Sequence, residues 1–127
     1  MIEIYNHETG EKIGKALRFT IQTVENNRLF MGMGGIVERM PQIKITIGEA
    51  SIDSQIEDIL RMRLDIKISP DMFEAKECLV TSYSKDEGEY NYRDIELIPM
   101  YIVSNGAQVK TEDSKKIKEW LLRWRRK

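Results

Sequence analysis

The sequence predicts an α+β domain: a mostly antiparallel β-sheet, in a sandwich or open barrel, with an amphipathic helix at its C-terminus. Three observations carry that expectation. Apolar residues alternate with polar ones in several short segments, as in Leu17-Arg18-Phe19-Thr20-Ile21-Gln22 and Ile43-Lys44-Ile45-Thr46-Ile47. A turn-forming stretch, Lys85-Asp86-Glu87-Gly88, separates two strand-like arms. The last residues change period, with Ile117, Trp120, Leu121 and Trp124 spaced to form one helical stripe.

Element by element, the chain opens on Ile2-Glu3-Ile4-Tyr5, an alternating strand, followed by turn chemistry at Asn6-His7-Glu8-Thr9-Gly10. The Leu17–Gln22 strand leads to a turn at Asn26-Asn27, after which Arg28-Leu29-Phe30-Met31 reads as extended. Gly32-Met33-Gly34-Gly35 is a bent connection, and Pro41 pushes Met40 toward extended geometry. The segment 52–60 is ambiguous. Ser54 and Glu57 could form a capping box over the apolar residues Ile52, Ile56, Ile59 and Leu60, which makes a short internal helix an alternative to a strand. From Arg61 the period is two, with Met62, Leu64, Ile66 and Ile68 on one side, and Ser69-Pro70-Asp71 ends that strand.

The most legible unit is the hairpin made by Glu77–Tyr83 and Tyr90–Leu97 around Gly88, which can adopt the positive φ of the turn. Its second arm continues to Val103 as a nearly unbroken apolar run, interrupted by Pro99, which demands a bulge or an edge. Ser104-Asn105-Gly106 turns the chain, and Thr111, Asp113 or Ser114 caps the final helix. The reading gives seven candidate strands, one ambiguous helix and one terminal helix in a single domain spanning residues 1–127.

Composition bounds the function. At 127 residues with 41% hydrophobic and 32% charged positions, the chain is a globular domain of ordinary size. It shows neither the apolar run of a membrane span nor a secretory signal, so a soluble cytoplasmic protein, or a virion component, is expected. The single cysteine, Cys78, excludes an internal disulfide and reads as a buried small hydrophobe. Net charge is −1, but residues 115–127 carry +6 and the remainder −7.

No catalytic apparatus, cofactor site or metal site is expected. Gly32–Gly35 lacks the Lys-Ser/Thr of a phosphate loop and the spacing of a dinucleotide fingerprint. His7, the only histidine, lies in a terminal turn where solvent exposure is the expectation. Asp65, Glu89, Asp94 and Glu96 read as acids on the solvent side of strands, with no partner in view.

Candidate contact residues are Tyr90 and Tyr92, with Tyr83 across the hairpin, and Trp120, Arg123, Trp124 and Arg125 on the terminal helix. Three roles stay open for that helix: docking on its own sheet, packing against a partner subunit through Trp and Arg anchors, or contacting phosphates of nucleic acid or an anionic membrane.

The ordered pieces Gly34-Gly35-Ile36-Val37-Glu38-Arg39-Met40-Pro41, Asp86-Glu87-Gly88-Glu89-Tyr90 with its following apolar strand, and Lys115-Lys116-Ile117-Lys118-Glu119-Trp120-Leu121 resemble the N-terminal domain of siphophage distal tail proteins. Those proteins are ring-forming subunits joining tail tube to baseplate. The family's glycine-arginine-aspartate-glycine turn is absent, and 43–78 has no counterpart. The resemblance implies a structural phage or prophage subunit and assigns no catalytic residue. The expected function is therefore non-enzymatic assembly or protein interaction, by self-association or with a phage or host protein. The alternatives are a nucleic-acid binder using the basic helix, and a small regulator or inhibitor docking on a host protein.

Overall fold

A computed structural model describes residues 2–26, 40–69, 73–86, 88, 91–104 and 107–111, together with 116, 119, 120 and 122. Among the described residues, nine strands and one short helix follow in order: β1 (Ile2–Asn6), β2 (Lys12–Ala16), β3 (Arg18–Asn26), β4 (Met40–Ile52), α1 (Ile56–Ile59), β5 (Leu64–Ile68), β6 (Phe73–Lys85), β7 (Tyr92–Ile98), β8 (Tyr101–Ser104) and β9 (Ala107–Lys110). All pairings are antiparallel.

The expected α+β class is corrected by this inventory. The domain is β-rich; among the described residues its only helix element is the single turn of α1, with no long C-terminal helix. Of the last sixteen residues, Lys116, Glu119, Trp120 and Leu122 are described, each with helical backbone. Neither an open barrel nor a sandwich forms. Six strands close on themselves, β1 pairing with β2, β2 with β4, β4 with β7, β7 with β6, β6 with β5, and β5 back to β1. Closure follows from two long strands of 13 residues, β4 and β6, each of which changes partner along its length. β4 pairs with β3 along Met40–Gly48 and with β2 at Ser51 and Ile52. β6 pairs with β8 along Phe73–Lys76 and with β7 from Leu79 onward.

Alternation fills the barrel. Ile4, Ile43, Ile45, Ile47, Leu64, Ile66, Ile95, Leu97 and Ile102 are fully buried, as are Phe73 and Cys78. Burying each such aliphatic side chain stabilises the fold by about 1.5–3 kcal/mol. β-Branched isoleucine suits this packing on a pleated surface. The 52–60 ambiguity resolves into both states: β4 runs to Ile52, and α1 then adds buried Ile56 and Ile59 to the same core.

The weakest seam is β2 against β4, where only Gly14↔Ile52 and Lys15↔Ser51 are in register. Gly14 is required there by proximity, since a Cβ would stand 2.3 Å from the Ser51 carbonyl oxygen. Past the bent segment at Pro99, β8 and β9 form a small hairpin on the edge of β6. The expected strand at residues 28–31 lies outside the described residues, whereas β2 and β9 are additions that the sequence pattern does not announce.

Candidate functional site

Where β6 changes partner, its backbone turns through Glu77, which adopts a left-handed φ of 49°. The register between β5 and β6 shifts at this point. Such a conformation costs a side-chain-bearing residue on the order of 1–3 kcal/mol and persists where surrounding contacts hold it. Here the contacts are polar. His7, in the turn after β1, places Nδ1 2.8 Å from Asp65 Oδ1 and Nε2 2.9 Å from Glu77 Oε1. Asp65 also accepts the Glu77 backbone N–H at 3.0 Å and faces Lys76 Nζ at 3.4 Å. Tyr101 of β8 donates its hydroxyl to Glu77, which raises the phenol above its ordinary range.

Lys76 bridges onward to Glu74 at 3.1 Å. Burial pulls its ammonium down, but the hydrogen bond to Glu74 and the Asp65 charge outweigh that, and the net direction is up. A shallow cleft of about 260 Å³ lies alongside, lined by Tyr5, Gly10, Asp65, Lys67, Glu74 and Lys76. Beside it the outward residues of four neighbouring strands alternate in sign, Lys15 opposite Glu3, Glu3 opposite Lys67, and Lys67 opposite Glu74. Glu3 is additionally bonded by the Tyr5 hydroxyl, which with nearby lysines lowers its carboxyl.

These positions correct two expectations. His7 is half-buried and bridged, not solvated, because Asp65 and Glu77 meet it from strands 58 and 70 positions further along. Asp65 is buried, not solvated, because the His7 ring, the Glu77 N–H and Lys76 cover it on the outward face of β5. Asp94 and Glu96 do have partners. Glu96 accepts from Lys44 and from Ser82, both of which lower its carboxyl. Asp94 lies 3.7 Å from Arg18. Cys78 is buried, and desolvation raises its thiol far above the ordinary range. Among the described residues, no group of three or more His, Cys, Asp or Glu side chains is placed to hold a metal ion, and no helix is long and apolar enough to cross a membrane.

Of the candidate contact residues, Tyr92 is buried and meets exposed Tyr83 edge-on, ring centroids 6.1 Å apart. Trp120 is buried and stacks on Phe73 at 5.0 Å, so its indole covers the end of the β6 strand. Tyr90, Arg123, Trp124 and Arg125 lie outside the described residues, as do Glu89 and the glycine-rich segment 32–35.

Among the described residues, the sheet also has two edges beyond the closed ring. β3 extends from β4 for nine residues and, among the described residues, pairs with no other strand; Thr20 and Gln22 project from it into solvent. β9 pairs with β8 alone among the described residues. Leu17, at the foot of β3, is 57% exposed. Sequence reasoning missed these edges because a strand's alternation shows which face it buries, but not whether both of its sides are paired.

No protein-family model matches the sequence, and no curated protein matches it. Among solved structures, the fold is similar to that of Hcp1 from Flavobacterium johnsoniae, at 13% identity, covering 87% of this chain and 98% of that one, with a TM-score of 0.44. That likeness is too slight to carry an inference about function.

Proposed function

We propose that this chain is a non-enzymatic structural subunit that joins copies of itself along strand edges, in a phage tail or tail-like assembly. The observation that supports this reading is β3, a nine-residue strand paired on one side only among the described residues, with neither proline nor an inward charge across its middle. A strand edge of that length, paired on one side among the described residues, presents a row of N–H and C=O groups to a further strand. The barrel behind it is filled with aliphatic side chains, which makes it a rigid support for an edge. β9 offers a second, shorter edge on another strand system, so one copy's β3 and another's β9 can meet head to tail. The assignment to a tail rests on the sequence resemblance to siphophage distal tail proteins. Contacts by Arg123, Trp124 and Arg125 belong to the same proposal.

Light scattering during size-exclusion chromatography tests it. The wild-type chain should elute as a discrete multi-subunit species. The double variant Thr20→Lys/Gln22→Lys, which sets charges on the solvent-facing side of β3 without touching the core, should shift it toward monomer at unchanged melting temperature. A monomeric wild type at every concentration would falsify the reading.

A further inference from the structure

The sequence has one histidine, and it is held by carboxylates from two different strands. A neutral imidazole has a single N–H, and its other nitrogen carries a lone pair; an ionised carboxylate only accepts. With Nδ1 2.8 Å from Asp65 and Nε2 2.9 Å from Glu77, both contacts are hydrogen bonds when the ring carries both protons. Remove one, and a lone pair faces a carboxylate oxygen at hydrogen-bond distance. The backbone fixes the ring in place, because the His7 N–H donates to the Arg63 carbonyl at 2.9 Å and Gly10 N–H closes the turn onto Asn6.

The charged and titratable groups around the ring come from every packed element. β5 supplies Asp65, with the exposed Arg63 preceding the strand. β6 supplies Glu77, Lys76 and, through Lys76, Glu74. β8 supplies Tyr101 through its bond to Glu77. On its own side are exposed Glu8 and the bonded pair Tyr5 and Glu3. Immediately around the ring, two carboxylates are opposed by Lys76, so a second positive charge completes the balance. Glu77 is also the residue held at a positive φ. The bond from His7 therefore restrains a strained corner, and through Tyr101 it reaches the β8–β9 hairpin.

We infer that His7 is a proton-operated latch on the corner of β6, closed when its ring carries both protons and released at Glu77 or Asp65 when the ring is neutral. The sign follows from the chemistry: a ring with both protons makes both bonds, and a ring with one proton makes only one of them.

Denaturant unfolding of wild type and His7→Gln at about pH 5.5 and about pH 8, the interval over which an imidazole changes charge, tests the latch. Glutamine keeps one donor and does not titrate. At the lower pH the wild type should exceed the variant about threefold to tenfold in folded-to-unfolded ratio, as expected for one partly exposed charge-assisted bond, and the gap should close at the higher pH. An equal gap at both pH values overturns the inference. Should His7→Gln not fold, nitrogen NMR of the unaltered chain decides the same question, since its one imidazole gives a single pair of ring-nitrogen signals. Both ring nitrogens protonated at about pH 5.5, with faster amide exchange at Glu77 and Tyr101 once the ring is neutral, supports the latch; a ring in one neutral tautomer at about pH 5.5 contradicts it.

Discussion

The barrel has two corners built on the same plan, and they differ in what holds them. At each, a 13-residue strand changes partner next to a glutamate with a left-handed backbone, Glu49 in β4 at φ 51° and Glu77 in β6 at φ 49°. Around Glu49 the partner is Arg18, 3.6 Å from the carboxylate and also 3.7 Å from Asp94, with its guanidinium lying over Gly48. That side chain is more than half exposed, and its charge is permanent. Around Glu77 the partners are His7 and Tyr101, half-buried, with Asp65 beneath them. One corner is a loose, solvent-screened clasp. The other is a tight network in which one imidazole joins carboxylates from two strands. Backbone strain is thus compensated weakly where glycine and space allow it, and strongly where three strand systems converge.

Substitutions separate the two. The largest effect is expected just beyond the first corner, where Gly14→Ala drives a Cβ into the Ser51 carbonyl, backbone against backbone, at the thinnest seam of the ring. A loss of about 3 kcal/mol should appear in denaturant unfolding, with amides of β2 exchanging early; an unchanged midpoint would mean the seam does not close the barrel. Next, Glu77→Gly relieves the strained φ but removes the bonds to His7 and Tyr101, for a net loss of about 1 kcal/mol. Glu49→Gly should go the other way, gaining up to about 1 kcal/mol, because exposed pairs at 3.6 Å contribute little. If both glycine variants moved stability in the same direction, the contrast between the corners would be lost. Smallest of all, Cys78 in the folded chain should resist thiol reagents at mildly alkaline pH, since burial keeps it protonated; labelling should follow unfolding alone.

What can be read from sequence is local. The β6–β7 hairpin declares itself through Gly88 and its flanking strands, and Ile43, Ile45 and Ile47 declare the inward face of β4 by alternation. Pro99 correctly marks a break, seen between Ile98 and Tyr101. The closed ring is illegible because its decisive seam is two residue pairs between segments some forty positions apart, and Lys12–Ala16 has too few apolar residues to announce a strand. β9 escapes for the same reason, with Val109 its only buried residue. Alternation places Asp65 outward correctly, but no period reveals that His7, Glu77 and Lys76 cover it there. The terminal stripe of Ile117, Trp120, Leu121 and Trp124 misleads because it fits helical spacing without fixing a helix's length or the fold class. The His7 cluster joins residues 7, 65, 76, 77 and 101, and its one sequence signal is an acid, Asp65, flanked by the apolar residues Leu64 and Ile66.

Concentration-dependent hydrogen exchange at β3 tests the central claim most directly, because it reads the edge itself. Strand-edge assembly predicts that the β3 amides pointing away from β4 are protected at high protein concentration and lose that protection on dilution, while the barrel interior stays protected throughout. Fast exchange at those amides at every concentration would contradict it.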